Sequence, residues 1–300
     1  MKYTGIAKEF IEWAELYRKP FITDVTWIKY ELAARRFQTM FLDMKAKDLT
    51  RALVQRAYND LAGQYSDGML KSEKNYLKSM VLEMYADGKI KRNFMVGIKT
   101  RGKQPTIKKK FLEKKERMDI LNNLNLENEY AMMIYIALMT GMRMSEILAI
   151  TKQDLIKKGG KFFINCDKTF CYKYKKDFMP TKTKNSVREI PITDHVLYNI
   201  KSFKPDWRKE ERLFENYKVH AARVNKYLAN LCQNLKISPV SFHCLRHTYG
   251  SFLIAEGIPM ITVSKLMGHA SLAITQDVYI HLMQDQRRKD ERMILNLLET

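Results

Sequence analysis

Apolar residues recur at three- and four-residue spacing through IAKEFIEWAELY, YELAARRFQTMFL, LTRALVQRAYNDLA and SEKNYLKSMVLEMYADG, the period that draws one apolar stripe along an α-helix. Residues 4–94 therefore read as four or five helices forming a small all-α domain. The pattern breaks in GIKTRGKQPTIKKKFLEKKERM, where two Gly, one Pro and a dense basic run leave little apolar period before Phe111 and Leu112. A domain boundary falls at about residue 104, dividing the chain into 1–104 and 105–300.

Beyond the break, FLEKKERMDILNNL and ENEYAMMIYIALMTG read as helices. The run KFFINCDKTFCYKYKKDFMPTKTKNSVREIPI alternates short β-prone stretches with polar turns, as a small antiparallel sheet would. Helices return from Asp194 to the end, the last an apolar MILNLL that follows the charged DQRRKDER. No internal repeat is visible. The expected fold is mainly α within the α+β class: an all-α N-terminal domain, then a mixed α+β domain with a small antiparallel sheet.

Charge changes the picture more than size does. The 300 residues, 46% of them hydrophobic, suffice for two cores without disulfides or metals, but a net charge of +20 points to a polyanionic partner, nucleic acid first. Residues 1–104 hold 20 Lys+Arg against 12 Asp+Glu, and residues 105–300 hold 33 against 21. Both parts are basic, which suits two domains gripping one phosphate backbone rather than a basic tail. Lys108, Lys109 and Lys110 are candidate phosphate contacts of a linker around the duplex.

MKYTGIAKEFIEW is interrupted by Lys8 and Glu9, unlike a signal peptide, and the apolar stretch from Tyr130 to Met142 is too short to span a bilayer. Cys166, Cys171, Cys232 and Cys244 show no paired CxxC spacing. A cytoplasmic protein with reduced thiols, no metal, no cofactor and no membrane partner is expected.

Three clusters can carry chemistry. In TGMRMSEILAI, Gly141 interrupts an apolar helix and sets Arg143 beside a core, so the guanidinium either pairs with Glu146 or awaits an anion. In SFHCLRHTYGSFLIAEG, Ser241 can cap a helix ending at Gly257, with His243 and Arg246 on one face. That pair suits a phosphate, Arg offering a planar fork of donors and His a proton near neutral pH. In ITVSKLMGHASLAITQDVYIHL a helix stops at Gly268, His269 lies in the turn, and Ser271 caps a helix carrying Tyr279.

The order Arg143, His243-x-x-Arg246, Gly268-His269, Tyr279 resembles the active-site signature of the tyrosine recombinase (phage integrase) family, over the whole chain. The resemblance implies a core-binding domain over 1–104 and a catalytic domain over 105–300 with a C-terminal tail helix. It implies that Tyr279 attacks a DNA phosphodiester to form a 3′-phosphotyrosyl bond. Arg143 and Arg246 would clamp the phosphate, His243 and His269 would donate hydrogen bonds or assist proton movement, and Glu146 would orient its neighbours. The family carries a catalytic Lys on a β-hairpin, for which TKTKNSVREIPI offers Lys182 and Lys184. The similarity to a PKTKxSxR wording points to Lys182, with Lys184 the alternative and otherwise a DNA contact. Partners implied are double-stranded recombination sites, a homotetramer assembled on DNA from free monomers, and DNA-bending or excision factors.

The hairpin wording and the ten-residue step from His269 to Tyr279 resemble integrases of phages and conjugative transposons. An arm-binding domain, either removed or dispensable, is not expected within residues 1–300, which keeps two-domain recombinases that resolve chromosome dimers as the alternative. A type IB-like topoisomerase and a non-catalytic DNA-binding regulator are the remaining readings.

Overall fold

A computed structural model describes residues 2–103, 111–172, 176–181, 183–215, 221–269, 271 and 276. The chain divides into two compact units, Met1–Ile107 and Lys108–Thr300.

The first unit is helical: α1 Gly5–Tyr17, α2 Asp24–Phe41, α3 Arg51–Asp60 and α4 Asp67–Ala86. Three of these starts are capped by hydroxyls, Thr23, Thr50 and Ser66 each accepting a backbone N–H three residues on. Their apolar stripes meet in one core of Ile6, Phe10, Phe37, Val54, Leu70, Leu77 and Met80, where each buried large side chain stabilises by about 1.5–3 kcal/mol. The Phe10 and Phe37 rings pack edge to face at 5.0 Å and Tyr30 stacks on Tyr76 at 4.5 Å.

The second unit is mixed α+β. Helices α5 Lys114–Asn122, α6 Glu129–Thr140 and the single-turn α7 Met144–Ile147 come first. Strands β1 Leu155–Lys158, β2 Lys161–Cys166, β3 Lys168–Phe170, β4 Phe178–Pro180 and β5 Arg188–Ile192 follow. Helices α8 Asp194–Phe203, α9 Ala221–Asn234, α10 Phe242–Ala255 and α11 Met260–Met267 come next among the described residues. Among the described residues no helix is long and apolar enough to cross a membrane.

The strands differ from the single sheet expected. They form an antiparallel sheet in the order β1-β2-β5 and a separate β3-β4 ladder. Strand β1 precedes the β-prone run altogether: its LIKK sequence carries two exposed lysines, which suit a short edge strand but give no local strand signal. The buried Ile164 of β2 pairs with Leu155 on one side and with Ile190 on the other.

Helix α6 is buried along most of its length, from Ala131 to Leu138, and packs against α10. It ends where Gly141 takes φ +66°, and a Cβ there would stand 2.4 Å from the Tyr249 ring. Only glycine suits both the left-handed turn and the close approach.

Candidate active site

Two helix ends meet at the site, and both stop on a left-handed glycine: α6 at Gly141 and α11 at Gly268. The last carbonyls of a helix lack intrahelical partners and carry partial negative charge, so they accept cations. Three arginines from three other segments occupy three successive carbonyls at the end of α11. Arg188 Nε donates to Leu266 O at 2.6 Å, Arg246 Nη2 donates to Met267 O, and Arg143 Nη2 donates to Gly268 O at 3.0 Å. Arg246 also donates through Nη1 to Gly141 O at 2.7 Å, tying α10 to the end of α6. Arg246 is only 2% exposed, and the helix-end carbonyls offset the cost of burying its charge.

Glu146 sits among these arginines. Arg143 stands at the N-cap of α7 and donates to it twice, from its backbone N–H to Oε2 at 2.8 Å and from Nη1 to Oε1 at 2.7 Å. Arg188 grips the same carboxylate from the other side, Nη2 to Oε2 at 2.8 Å and Nη1 to Oε1 at 3.2 Å. Burial alone would push the Glu146 carboxyl up. The hydrogen bond and charge of Arg188, with the charge of Arg143, outweigh it and hold the pKa at about 2. The guanidinium expected beside a core is thus ion-paired.

Arg188 is absent from the candidates read in the sequence. On a strand it alternates with exposed residues, and nothing local marks it as buried. Its Nη1 also donates to Ser186 O at 2.8 Å and meets Cys166 Sγ at 3.2 Å. Burial and the Glu146 charge push the Cys166 thiol up to about 12, so it stays protonated.

Helix α10 carries His243 and Arg246 one turn apart. Ser241 occupies its N-cap position, but its hydroxyl makes no cap bond and instead meets Cys244 Sγ at 3.1 Å. The helix stops at Ala255, two residues before Gly257. His269 follows Gly268 and donates its backbone N–H to Ser264 O at 3.1 Å. Burial, then the charges of Arg246 and Arg143, lower both imidazoles, His269 to about 4. At neutral pH each is uncharged and offers one N–H donor and one lone pair.

The structure thus brings Arg143, Glu146, His243, Arg246 and His269 into one electrostatic neighbourhood and adds Arg188. Two of these guanidiniums, Arg143 and Arg188, share the Glu146 carboxylate, and Arg143 remains about one third exposed. Such a site accepts an anion with several oxygens, phosphate above all. Among the described residues no cluster of His, Cys, Asp and Glu forms a metal site. Tyr279, Lys182, Lys108, Lys109, Lys110 and the C-terminal tail lie outside the described residues, while Lys184 opens a 3-10 turn, Lys184–Ser186, just before β5.

Residues 110–286 match the family model described as phage integrase family. A XerC-like tyrosine recombinase of Caldanaerobacter subterraneus subsp. tengcongensis is 25% identical, over 92% of this chain and 78% of that protein. The ICEBs1 integrase of Bacillus subtilis is 27% identical over 51% of this chain, which spans 45% of that protein. The Tn1549 transposon integrase, solved in complex with a circular intermediate DNA, shares the fold with a TM-score of 0.77 at 16% identity, covering 96% of this chain and 99% of that one. With more than half of its length matched, the chain belongs to the phage integrase family, the tyrosine recombinases that catalyse DNA strand cleavage and transfer.

Proposed function

We propose that this chain is the integrase of a mobile element, joining and excising DNA at specific sites in the cytoplasm. Residues 105–300 hold the chemistry and residues 1–104, with the basic linker Lys108, Lys109 and Lys110, embrace the far side of the duplex. Tyr279 is the nucleophile. Its phenol loses a proton and its oxygen attacks phosphorus in line, while the bond to the 5′ oxygen breaks and Lys182 supplies the proton that oxygen needs. A 5′ hydroxyl of another strand then attacks the 3′-phosphotyrosyl bond, restores the phosphodiester and releases Tyr279.

The difficulty of this reaction lies in the charge that builds on the non-bridging oxygens. Arg143 and Arg246 meet that charge, and His243 and His269, being neutral, donate hydrogen bonds to it. The observation that carries the reading is that Arg143 and Arg246 meet at two glycine-capped helix ends, where their charges reach His243 and His269. Four protomers on two duplexes exchange strands, with DNA-bending or excision factors as accessories and the tail after residue 285 docking on a neighbour.

The test is incubation with a nicked duplex bearing the crossover site, in EDTA, followed by denaturing electrophoresis. A covalent protein–DNA band is expected, and Tyr279→Phe removes it. A band that survives Tyr279→Phe, or that needs added metal, overturns the reading. A cellular recombinase that resolves chromosome dimers is the second reading; recombination of paired chromosomal sites but not of element ends would select it.

A further inference from the structure

Arg188 is better anchored than a simple partner of Glu146 needs to be. Each Glu146 oxygen accepts one bond from Arg143 and one from Arg188, so the carboxylate cannot turn without breaking bonds to both. Arg188 is itself fixed at two further points, Leu266 O at the end of α11 and Ser186 O in the turn before β5. The same stretch of α11 carries the carbonyls that hold Arg246 and Arg143. Space is short there: a Cβ on Gly268 would lie 3.1 Å from Arg188 Nη1, Asn185 O and Ser186 Cα. The side chain of Arg188 is 6% exposed against 34% for Arg143, so Arg143 is open to an incoming anion and Arg188 is buried.

We propose that Arg188 is a positioning residue for strand cleavage: through Glu146 and the Leu266 carbonyl it sets where the Arg143 guanidinium meets the scissile phosphate. This rests on the recombinase reading above. The alternative is a buried ion pair that only stabilises the unit. The two differ because a positioning role is lost when geometry changes at constant charge. Lysine keeps the charge, but one ammonium on a flexible stem cannot span both Glu146 oxygens, Leu266 O and Ser186 O together.

The experiment compares the full-length protein with Arg188→Lys, Glu146→Gln and the double variant. It measures single-turnover cleavage of the nicked duplex at saturating protein, non-covalent DNA affinity by gel shift, and thermal melting. Arg188→Lys is expected to slow cleavage about 100-fold, the size of effect that a misplaced catalytic group produces, with DNA affinity unchanged. Glu146→Gln, which keeps both arginines, reproduces the loss, and the double variant is little worse than either single one because the two act in series. Should Arg188→Lys not fold, Glu146→Gln alone carries the test. Wild-type cleavage in Arg188→Lys, losses that add in the double variant, or a cleavage loss matched by lost affinity and melting overturns the proposal. Absence of the covalent band in the wild type instead removes the recombinase reading on which it rests.

Discussion

Each unit buries a glutamate to the same extent, Glu73 on α4 of the first and Glu146 on α7 of the second, both 2% exposed. They titrate in opposite directions. Glu73 pairs with Arg36, itself partly open to solvent; burial dominates and its carboxyl is pushed above the ordinary range. Glu146 is held between Arg143 and Arg188, and those cations pull it down to about 2. Burial depth therefore does not set the state of a carboxylate; the number and seclusion of its cations do. The one held low lies at the candidate site, where it binds two arginines. The other is set in a core that is otherwise aromatic and aliphatic.

Removing each carboxylate is the sharpest way to break this comparison. Glu146→Ala leaves the buried Arg188 charge without its counter-ion and is expected to destabilise the second unit by about 3–5 kcal/mol, read by chemical denaturation. A smaller, pH-dependent difference should separate the units in hydrogen exchange on the whole chain. Because the folded pKa of Glu146 lies below its ordinary 4.5, its stabilisation is complete above that pH and is lost as the pH falls towards about 2. The second unit of the wild type should lose protection in that window, and Glu146→Gln should remove this component. Glu73 has the reverse sign: its raised pKa gives a contribution present below 4.5 and lost as the pH rises through the raised value. Above pH 4.5 the first unit of Glu73→Gln should then gain protection relative to the wild type. The smallest effect belongs to Glu73→Gln at neutral pH, a stabilisation of less than about 1 kcal/mol, because solvent reaches Arg36. A loss as large as that of Glu146→Ala would refute the contrast.

The helices of the first unit were legible because the three- and four-residue apolar period is a local signal. The same holds for the Gly141 break, for His243 and Arg246 on one helix face, and for Gly268 ending α11. The Arg143–Glu146 pair was also open to reading, since its members stand one turn apart. Strand β1 was not, because two of its four residues are lysines suited to an edge. The separation of the β3-β4 ladder was not legible either, since strand period does not say which strand pairs with which. Arg188 was hidden for a different reason: its anchors, Glu146 and Leu266, are 42 and 78 residues away.

The sequence by itself determined the helical period, the glycine stops, the basic balance and the order of the chemistry-bearing residues, all of which depend on residue type and near neighbours. The tertiary structure alone decided which carbonyl each arginine meets, that Glu146 is shared, and that a strand residue becomes the third arginine of the cluster. The physical reason is that hydrogen bonds at a helix end are short and directional, so their partners are chosen by where α6, α10, α11 and β5 come together.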